Sequence, residues 1–425
     1  MRVICRQNPA PLARTDGVSF SLFAAPEQQG VGRVGATIPR ELRRVGAYPS
    51  TLAWDFLALS LSVAAADSGC LRSQSPDGWT RHIQLEVAVR EPEVWNARAR
   101  SLDTALRFLT GDIWELTFVP GGMAPPRVRR YTRKRLDGDC ACLLSGGVDS
   151  LVGAIDAVAL GNRPVLVSQT SQGDAERQRR FAKRLGENIS HLQLNHDASP
   201  PGEAERSQRS RSIVFIAYGV LASSVLPLYR RGEVVELLIP ENGFISLNIP
   251  LTPFRLGTLS TRTTHPLFIR QMQNILDALG LNVRLSNPYQ FKTKGEMLDE
   301  CQDQSVLREL AFHSTSCGRF MRFGYQHCGR CVPCLVRRSA FLKWGNGDGT
   351  DYRYHDLSIE DSQHRDFDDV RSAVFAALSV EQLGVEDWAG DTLNQVRLGD
   401  PVPYTDLAER GMDELRTFLD DVGAI

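Results

Sequence analysis

The chain has 425 residues, room for two or three domains and far more than one hydrophobic core requires. With 42% hydrophobic and 23% charged residues it reads as a globular protein rather than a disordered or collagenous one. Its 49 basic and 50 acidic residues leave a net charge of −1, which argues against a protein that lives by wrapping nucleic acid. No apolar run approaches membrane-spanning length and no apolar signal segment follows Met1, so the expected setting is the cytoplasm, away from membranes.

In chain order, an apolar run over 52–66 predicts a helix, and residues 82–89 and 113–119 predict strands. Between those strands Pro92 opens a helical pattern that continues through Leu102, Leu106 and Leu109. These elements suggest an α+β N-terminal domain over 1–135, accessory or partner-binding. Gly121-Gly122, Pro125-Pro126 and a basic stretch over 127–135 then mark a linker. From 138 short apolar strands alternate with helical patterns: strands at 140–144, 165–167, 190–194, 234–239 and 283–285, helices at 151–160, 175–185, 212–226 and 267–279. That rhythm predicts an α/β fold over 136–345, a doubly wound parallel sheet with helices on both faces. Residues 346–425 read as a helical C-terminal extension with an acidic segment at 360–369. No internal repeat is visible.

Leu143-Leu144-Ser145-Gly146-Gly147-Val148-Asp149-Ser150-Leu151 is the most informative segment: a strand, a glycine turn and the start of a helix. Such a turn aims backbone N–H groups and the positive end of a helix dipole at one point, which makes an anion site. No Lys follows the glycines, so this is not the loop of NTPases that cleave the terminal phosphate. Ser-Gly-Gly-x-Asp-Ser resembles the PP-loop of the ATP pyrophosphatases. The resemblance implies an adenine-nucleotide hydrolase-like fold, ATP cleaved between its α and β phosphates, and AMP passed to a substrate oxygen. The crevice of such a sheet lies at the carboxyl ends of its strands.

Four of the nine cysteines, Cys317, Cys328, Cys331 and Cys334, fall within one short stretch, the last three spaced to converge on one ion. In a reducing compartment clustered thiols point to metal rather than disulfides, and four thiolates suit tetrahedral Zn²⁺, with an iron-sulfur cluster as the alternative. Cys140 and Cys142 read as core, and Cys5, Cys70 and Cys301 as structural.

Glycine turn and cysteines together resemble the QueC, or 7-cyano-7-deazaguanine synthase, family. That family ends on a Ser-Cys, here Ser316-Cys317, and then Cys-Gly-x-Cys-x-x-Cys, here Cys328-Gly329-Arg330-Cys331-Val332-Pro333-Cys334, before an apolar and basic helix. Pro240-Glu241-Asn242-Gly243 stands at its Pro-Gly-Arg-Asn, Thr264-His265-Pro266 at its Cys-Arg-Pro, and Thr293-Lys294-Gly295-Glu296 at its Thr-Lys-x-Glu. The similarity spans roughly 138–345. It implies an ATP-dependent ligase that activates a 7-deazaguanine carboxylate such as 7-carboxy-7-deazaguanine and forms its amide. Leu144, Ser145, Gly146, Gly147, Val148, Asp149 and Ser150 would bind ATP with Mg²⁺, and Asp149, Ser150 and Lys294 would be catalytic. Glu241, Asn242 and His265 would meet the deazaguanine, and the four cysteines would hold Zn²⁺. Lys294 is notable because only five of the basic residues are lysines.

The departures fall in pocket loops: Glu241-Asn242-Gly243 replaces Gly-Arg-Asn, and Ser171-Gln172-Gly173-Asp174-Ala175-Glu176-Arg177 replaces a Tyr-Gly-Gln-Arg-His segment. The added N-terminal region is more similar to the QueC-like proteins of bacterial anti-phage operons, QatC of the Qat system among them. That likeness implies partner proteins from the same defence operon, an acceptor amine on one of them or ammonia, and allows a homo-oligomer. Two other readings stay open: tRNA base thiolation, which needs a reactive cysteine and a basic RNA surface, and a nucleotide-binding scaffold of a defence complex.

Overall fold

The computed structural model describes residues 1–13, 17–127, 135–170, 173–251, 262–357, 369–395 and 399–425, and its strands form two five-stranded sheets. The first holds β1 (Arg2–Arg6), β2 (Val18–Leu22), β3 (Val31–Val34), β4 (His82–Ala88) and β5 (Ile113–Val119) in the order β3-β2-β1-β4-β5. Every neighbouring pair in it is parallel. Helices α1 (Ile38–Arg44) and α2 (Thr51–Gly69) connect β3 to β4, and α3 (Pro92–Asn96) and α4 (Ala99–Thr110) connect β4 to β5. The N-terminal region is therefore α/β, not the expected α+β. Its first three strands are only four or five residues long, and a strand-helix-strand crossover such as β4-α4-β5 returns parallel. The expected continuous helix from Pro92 is broken at Arg98, where Asn96 turns to β5 and exchanges hydrogen bonds with the backbone N–H and carbonyl of Phe118.

The second sheet holds β6 (Cys140–Leu143), β7 (Pro164–Gln169), β8 (His191–Leu194), β9 (Val235–Leu238) and β10 (Val283–Ser286) in the order β10-β9-β6-β7-β8, again all parallel. Connections run through α5 (Val148–Ala159), α6 (Ala175–Leu185), α7 (Arg211–Ser223) with α8 (Pro227–Arg230), and α9 (Gly243–Leu247) with α10 (Pro266–Ala278). Ala141 and Leu143 face one apolar core with α7 and α10, while Cys142 and Leu144 face another with α5 and α6. Side chains that alternate along a strand point to opposite faces, so both faces of this sheet are covered. Then follow α11 (Lys294–Asp299), α12 (Gln304–Leu310), α13 (Val332–Trp344), α14 (Asp369–Leu383), α15 (Val385–Gln395) and α16 (Val402–Asp421). The last three pack with α9 and α13 into a smaller core.

The apolar run at 52–66 is buried on all sides because α2 lies between the two sheets against α7. Asp67 near its end and Asp112 flank Arg81, and all three side chains are fully buried. Arg81 also donates to the carbonyls of Asp67 and Cys70, and Arg72 pairs with Asp112 at 2.9 Å. Removing one member of such a network leaves buried charge uncompensated. Arg81→Met is expected to lower stability by about 3–5 kcal/mol in urea melts, whereas Arg163→Met, at an exposed pair, is expected to change it by less than about 1 kcal/mol.

The basic linker beyond Arg127, most of the 360–369 acidic segment, and Ser171 and Gln172 lie outside the described residues.

Candidate active site and metal centre

In the second sheet the strand order reverses between β6 and β9, and the segments leaving their carboxyl ends diverge around a crevice. Leu144 follows β6, Gly146 takes φ +96°, and Gly147 caps α5. Ser150 ties the turn together: its Oγ accepts from the Ser145 N–H at 3.1 Å, lies 3.0 Å from the Ser145 Oγ and donates to the Gly147 carbonyl at 3.0 Å. The first N–H groups of α5 have no intrahelical acceptor and open on a cleft of about 220 Å³. That size suits the phosphates of a nucleotide rather than a whole one.

Across the cleft Lys294 forms an ion pair with Asp149, and both are buried. Burial alone would raise the Asp149 carboxyl, but the Lys294 ammonium and hydrogen bonds from its neighbours hold it well below the usual carboxylate range. Glu241, in the turn after β9, is pushed well up by burial and by the Asp149 charge. Asn287 pins that turn, its amide donating to the Glu241 carbonyl at 2.8 Å. Asn242 is fully buried: its Nδ2 donates to Asp149 at 2.7 Å while its Oδ1 caps α9 through the Ile245 N–H at 2.9 Å. Asn242 thus supports Asp149 rather than facing open space. His265 lies apart from this cluster, caps α10 through the Leu267 N–H at 3.1 Å and packs its ring against Phe108.

Lys294 stands at the first position of α11 because Thr293 and Glu296 form a reciprocal cap beneath it. Glu414 of α16 accepts from the Thr293 hydroxyl and the Gly295 N–H and pairs with Lys343 at 2.9 Å, and Arg410 holds Glu296 at 2.7 Å. The C-terminal helix is thereby part of the site's support, which nothing in the sequence signalled.

The four cysteine sulfurs lie within 4.8 Å of one another, two pairs at 3.9 Å. Zn–S bonds of about 2.3 Å in a tetrahedron put sulfurs about 3.8 Å apart, so the donor set fits one ion, whereas an iron-sulfur cluster spreads its thiolates over several metals. Backbone N–H groups of Arg319, Cys328, Arg330 and Cys331 point at these sulfurs, as they do around thiolates. Gly329 at φ +84° makes the turn, and an added Cβ there would lie 2.4 Å from the Tyr354 carbonyl oxygen. The centre touches the cleft: His327 accepts from the Ser316 N–H at 3.2 Å, and the Thr315 N–H donates to the Gly146 carbonyl at 2.9 Å. Thr315 lines the cleft with a buried Oγ1 that has no partner among the described residues. Sequence reading passed over Thr315 because a loop threonine carries no signal until the fold brings it to the glycine turn.

A Cβ on Gly147 would sit 3.2 Å from the Thr315 carbonyl oxygen, at an ordinary φ of −78°, so the fold should accept Gly147→Ala while the phosphate space narrows. ATP affinity by calorimetry is expected to fall about tenfold, or 1.4 kcal/mol. Burial holds His191, His196, His265 and His327 down at about 4. The unfolded chain takes up these protons below about pH 6.5 while the folded chain does not, so stability is lost as pH falls from 6.5 toward 4, by up to about 1.4 kcal/mol per pH unit for each histidine. Urea melts at pH 7, 6 and 5 check the slope; a midpoint that does not move would contradict it.

Fold and site together define an α/β protein with a glycine turn at a strand-order switch point and, beside it, a buried four-cysteine cluster whose sulfurs could hold one metal ion. No protein-family model matches the chain. It is similar to 7-cyano-7-deazaguanine synthase 1 of Mesorhizobium japonicum, at 34% identity over 103 residues, which cover 24% of this chain and 42% of that protein. The chain thus aligns with less than half of that relative's length. Among the described residues no helix is long and apolar enough to cross a membrane.

Proposed function

We propose that this protein uses ATP to adenylate the carboxylate of a 7-deazaguanine, such as 7-carboxy-7-deazaguanine, and forms an amide with ammonia or an amine of a partner protein, in anti-phage defence. The observation that carries the reading is the glycine turn at the switch point, with Lys294 reaching across the cleft to Asp149 in the first turn of α5. The partial similarity to a deazaguanine synthase supplies the substrate class. A substrate carboxylate oxygen attacks the α phosphorus, the bond to the β-phosphate oxygen breaks, and pyrophosphate leaves with the electron pair. The amine then attacks the acyl carbon, AMP departs and one proton is released.

In this scheme the N–H groups opening α5 take the negative charge gathering on pyrophosphate, and Thr315 Oγ1 offers a further donor. Lys294 supplies positive charge and Asp149 fixes where its ammonium sits. Glu241, its carboxyl pushed up by burial and by Asp149, lines the same cleft. Mg²⁺ accompanies the ATP phosphates. Cys317, Cys328, Cys331 and Cys334 would hold Zn²⁺ as a closed structural site that keeps Thr315 against the glycine turn.

Thiolation is the weaker reading because the other five cysteines are buried, and burial raises their thiols, Cys5 and Cys140 to about 12, away from the reactive thiolate. The test is incubation with ATP, Mg²⁺ and 7-carboxy-7-deazaguanine, with mass spectrometry of small molecules and of proteins encoded beside it. AMP with a mass-shifted deazaguanine or partner is expected; neither AMP nor any modified product would reject the proposal.

A further inference from the structure

The sequence carries no visible repeat, yet the two sheets share one plan. Numbered from its own first strand, each is wholly parallel and runs 3-2-1-4-5. Their contacts join like to like. Helix α2, which enters the fourth strand of its sheet, packs on α7, which precedes the fourth strand of the other, and α4 packs on α10, each preceding a fifth strand.

Both pairs are antiparallel. The Ser50 N–H at the start of α2 reaches the Ser224 Oγ at the end of α7 at 3.4 Å, while Asp67 near the end of α2 accepts from the N–H groups of Arg209 and Ser210, opening α7, at 2.7 and 2.8 Å. In the second pair Arg98 before α4 donates to the Ala278 carbonyl closing α10 at 3.2 Å, and Arg262 before α10 donates to the Phe108 carbonyl near the end of α4 at 3.2 Å. Antiparallel contact between equivalent elements is what a two-fold axis produces between identical subunits.

We infer that the N-terminal sheet and its helices are a second copy of the glycine-turn unit's fold, seated on the α7 and α10 face where a second subunit would sit, and that this copy is a fixed wall rather than a second reaction centre. It lacks the parts that make an anion site. No glycine turn and helix separate β1 from β2 among the described residues. The chain leaving β5 folds back over the end of β4: the Gly122 N–H donates to the Val89 carbonyl at 3.1 Å and Trp54 Nε1 to the Met123 carbonyl at 2.8 Å.

The wall reaches toward the cleft of the other copy. The Phe108 ring lies 5.0 Å from that of His265, under the Arg262 guanidinium at 4.7 Å. Beside His265, Thr264 lies 3.1 Å from Ser246 of α9, the helix capped by Asn242, which holds Asp149. Phe108 is thus a positioning residue for the α10 entrance.

Sedimentation and hydrogen–deuterium exchange on the full chain test this. A single-chain mass of 47.2 kDa is expected, with amide protection in α7 and α10 unchanged from micromolar to sub-millimolar concentration. Protection that rises with concentration would mean that a second chain covers that face and would overturn the inference. In Phe108→Ala, exchange in the first turn of α10 is expected to quicken about tenfold while α2 and α7 keep their rates, with Phe108→Leu near wild type. Unchanged α10 rates in Phe108→Ala, or faster exchange throughout the chain in Phe108→Leu as well, would refute the wall. These readouts need neither ATP nor substrate, so their failure is distinct from failure of the adenylation proposal.

Discussion

Lys294→Met is expected to reduce AMP formation by about 10²–10³-fold, the usual effect of deleting one well-placed electrostatic group. It also leaves the buried Asp149 carboxylate beside Glu241 with no cation to offset its charge. Breaking a buried pair from one side costs about 3 kcal/mol or more. Chromatographic AMP assays and urea melts separate the two effects. Lys294→Arg, which keeps the charge but not the compact ammonium, is expected to recover most of the stability and little of the rate. Wild-type AMP formation by Lys294→Met would remove Lys294 from the mechanism. Asp149, with its carboxyl held low, contributes stability that is present above the unfolded value of about 3.9 and lost only as pH falls through its folded value, so the pair stays intact across the neutral range.

Cys328→Ser is the second large effect. The Cys328 sulfur receives N–H groups from Arg330 and Cys331 and lies 3.9 Å from Cys334, so its loss opens the metal centre from within. By mass spectrometry of the metal, wild type is expected to carry one Zn²⁺ per chain and the variant less than about one-tenth of that. Structural zinc contributes on the order of 10 kcal/mol to peptides that fold around it, and even part of that exceeds what most single contacts supply. Because the Thr315 N–H holds the Gly146 carbonyl, ATP binding is expected to weaken by more than about tenfold in the same variant. A zinc-free protein that binds ATP like wild type would show that the centre and the glycine turn are independent.

What could be read from the sequence was what local chemistry fixes. Residues 140–159 announce strand, turn and helix because each step needs only its neighbours, and the cysteines announce an ion because their spacing is itself the geometry. Strands β1, β2 and β3 were missed: each is four or five residues long and becomes a strand only through parallel neighbours supplied from elsewhere in the chain. His265 reads as a substrate contact by its place in a motif, and the packed fold adds what no motif carries, its ring against Phe108 and its nitrogen on the α10 cap. The grip of Glu414 on the Thr293-Lys294 turn spans 121 residues of sequence, beyond the reach of any pattern.

That last distance has a meaning in time. A ribosome adding about 5–20 residues per second delivers Glu414 roughly 6–24 seconds after Thr293. Until then the turn that presents Lys294 has its own cap but not its outer clasp. A chain still being made therefore holds the Lys294 turn by its own cap alone, and the outer clasp forms only once α16 has docked.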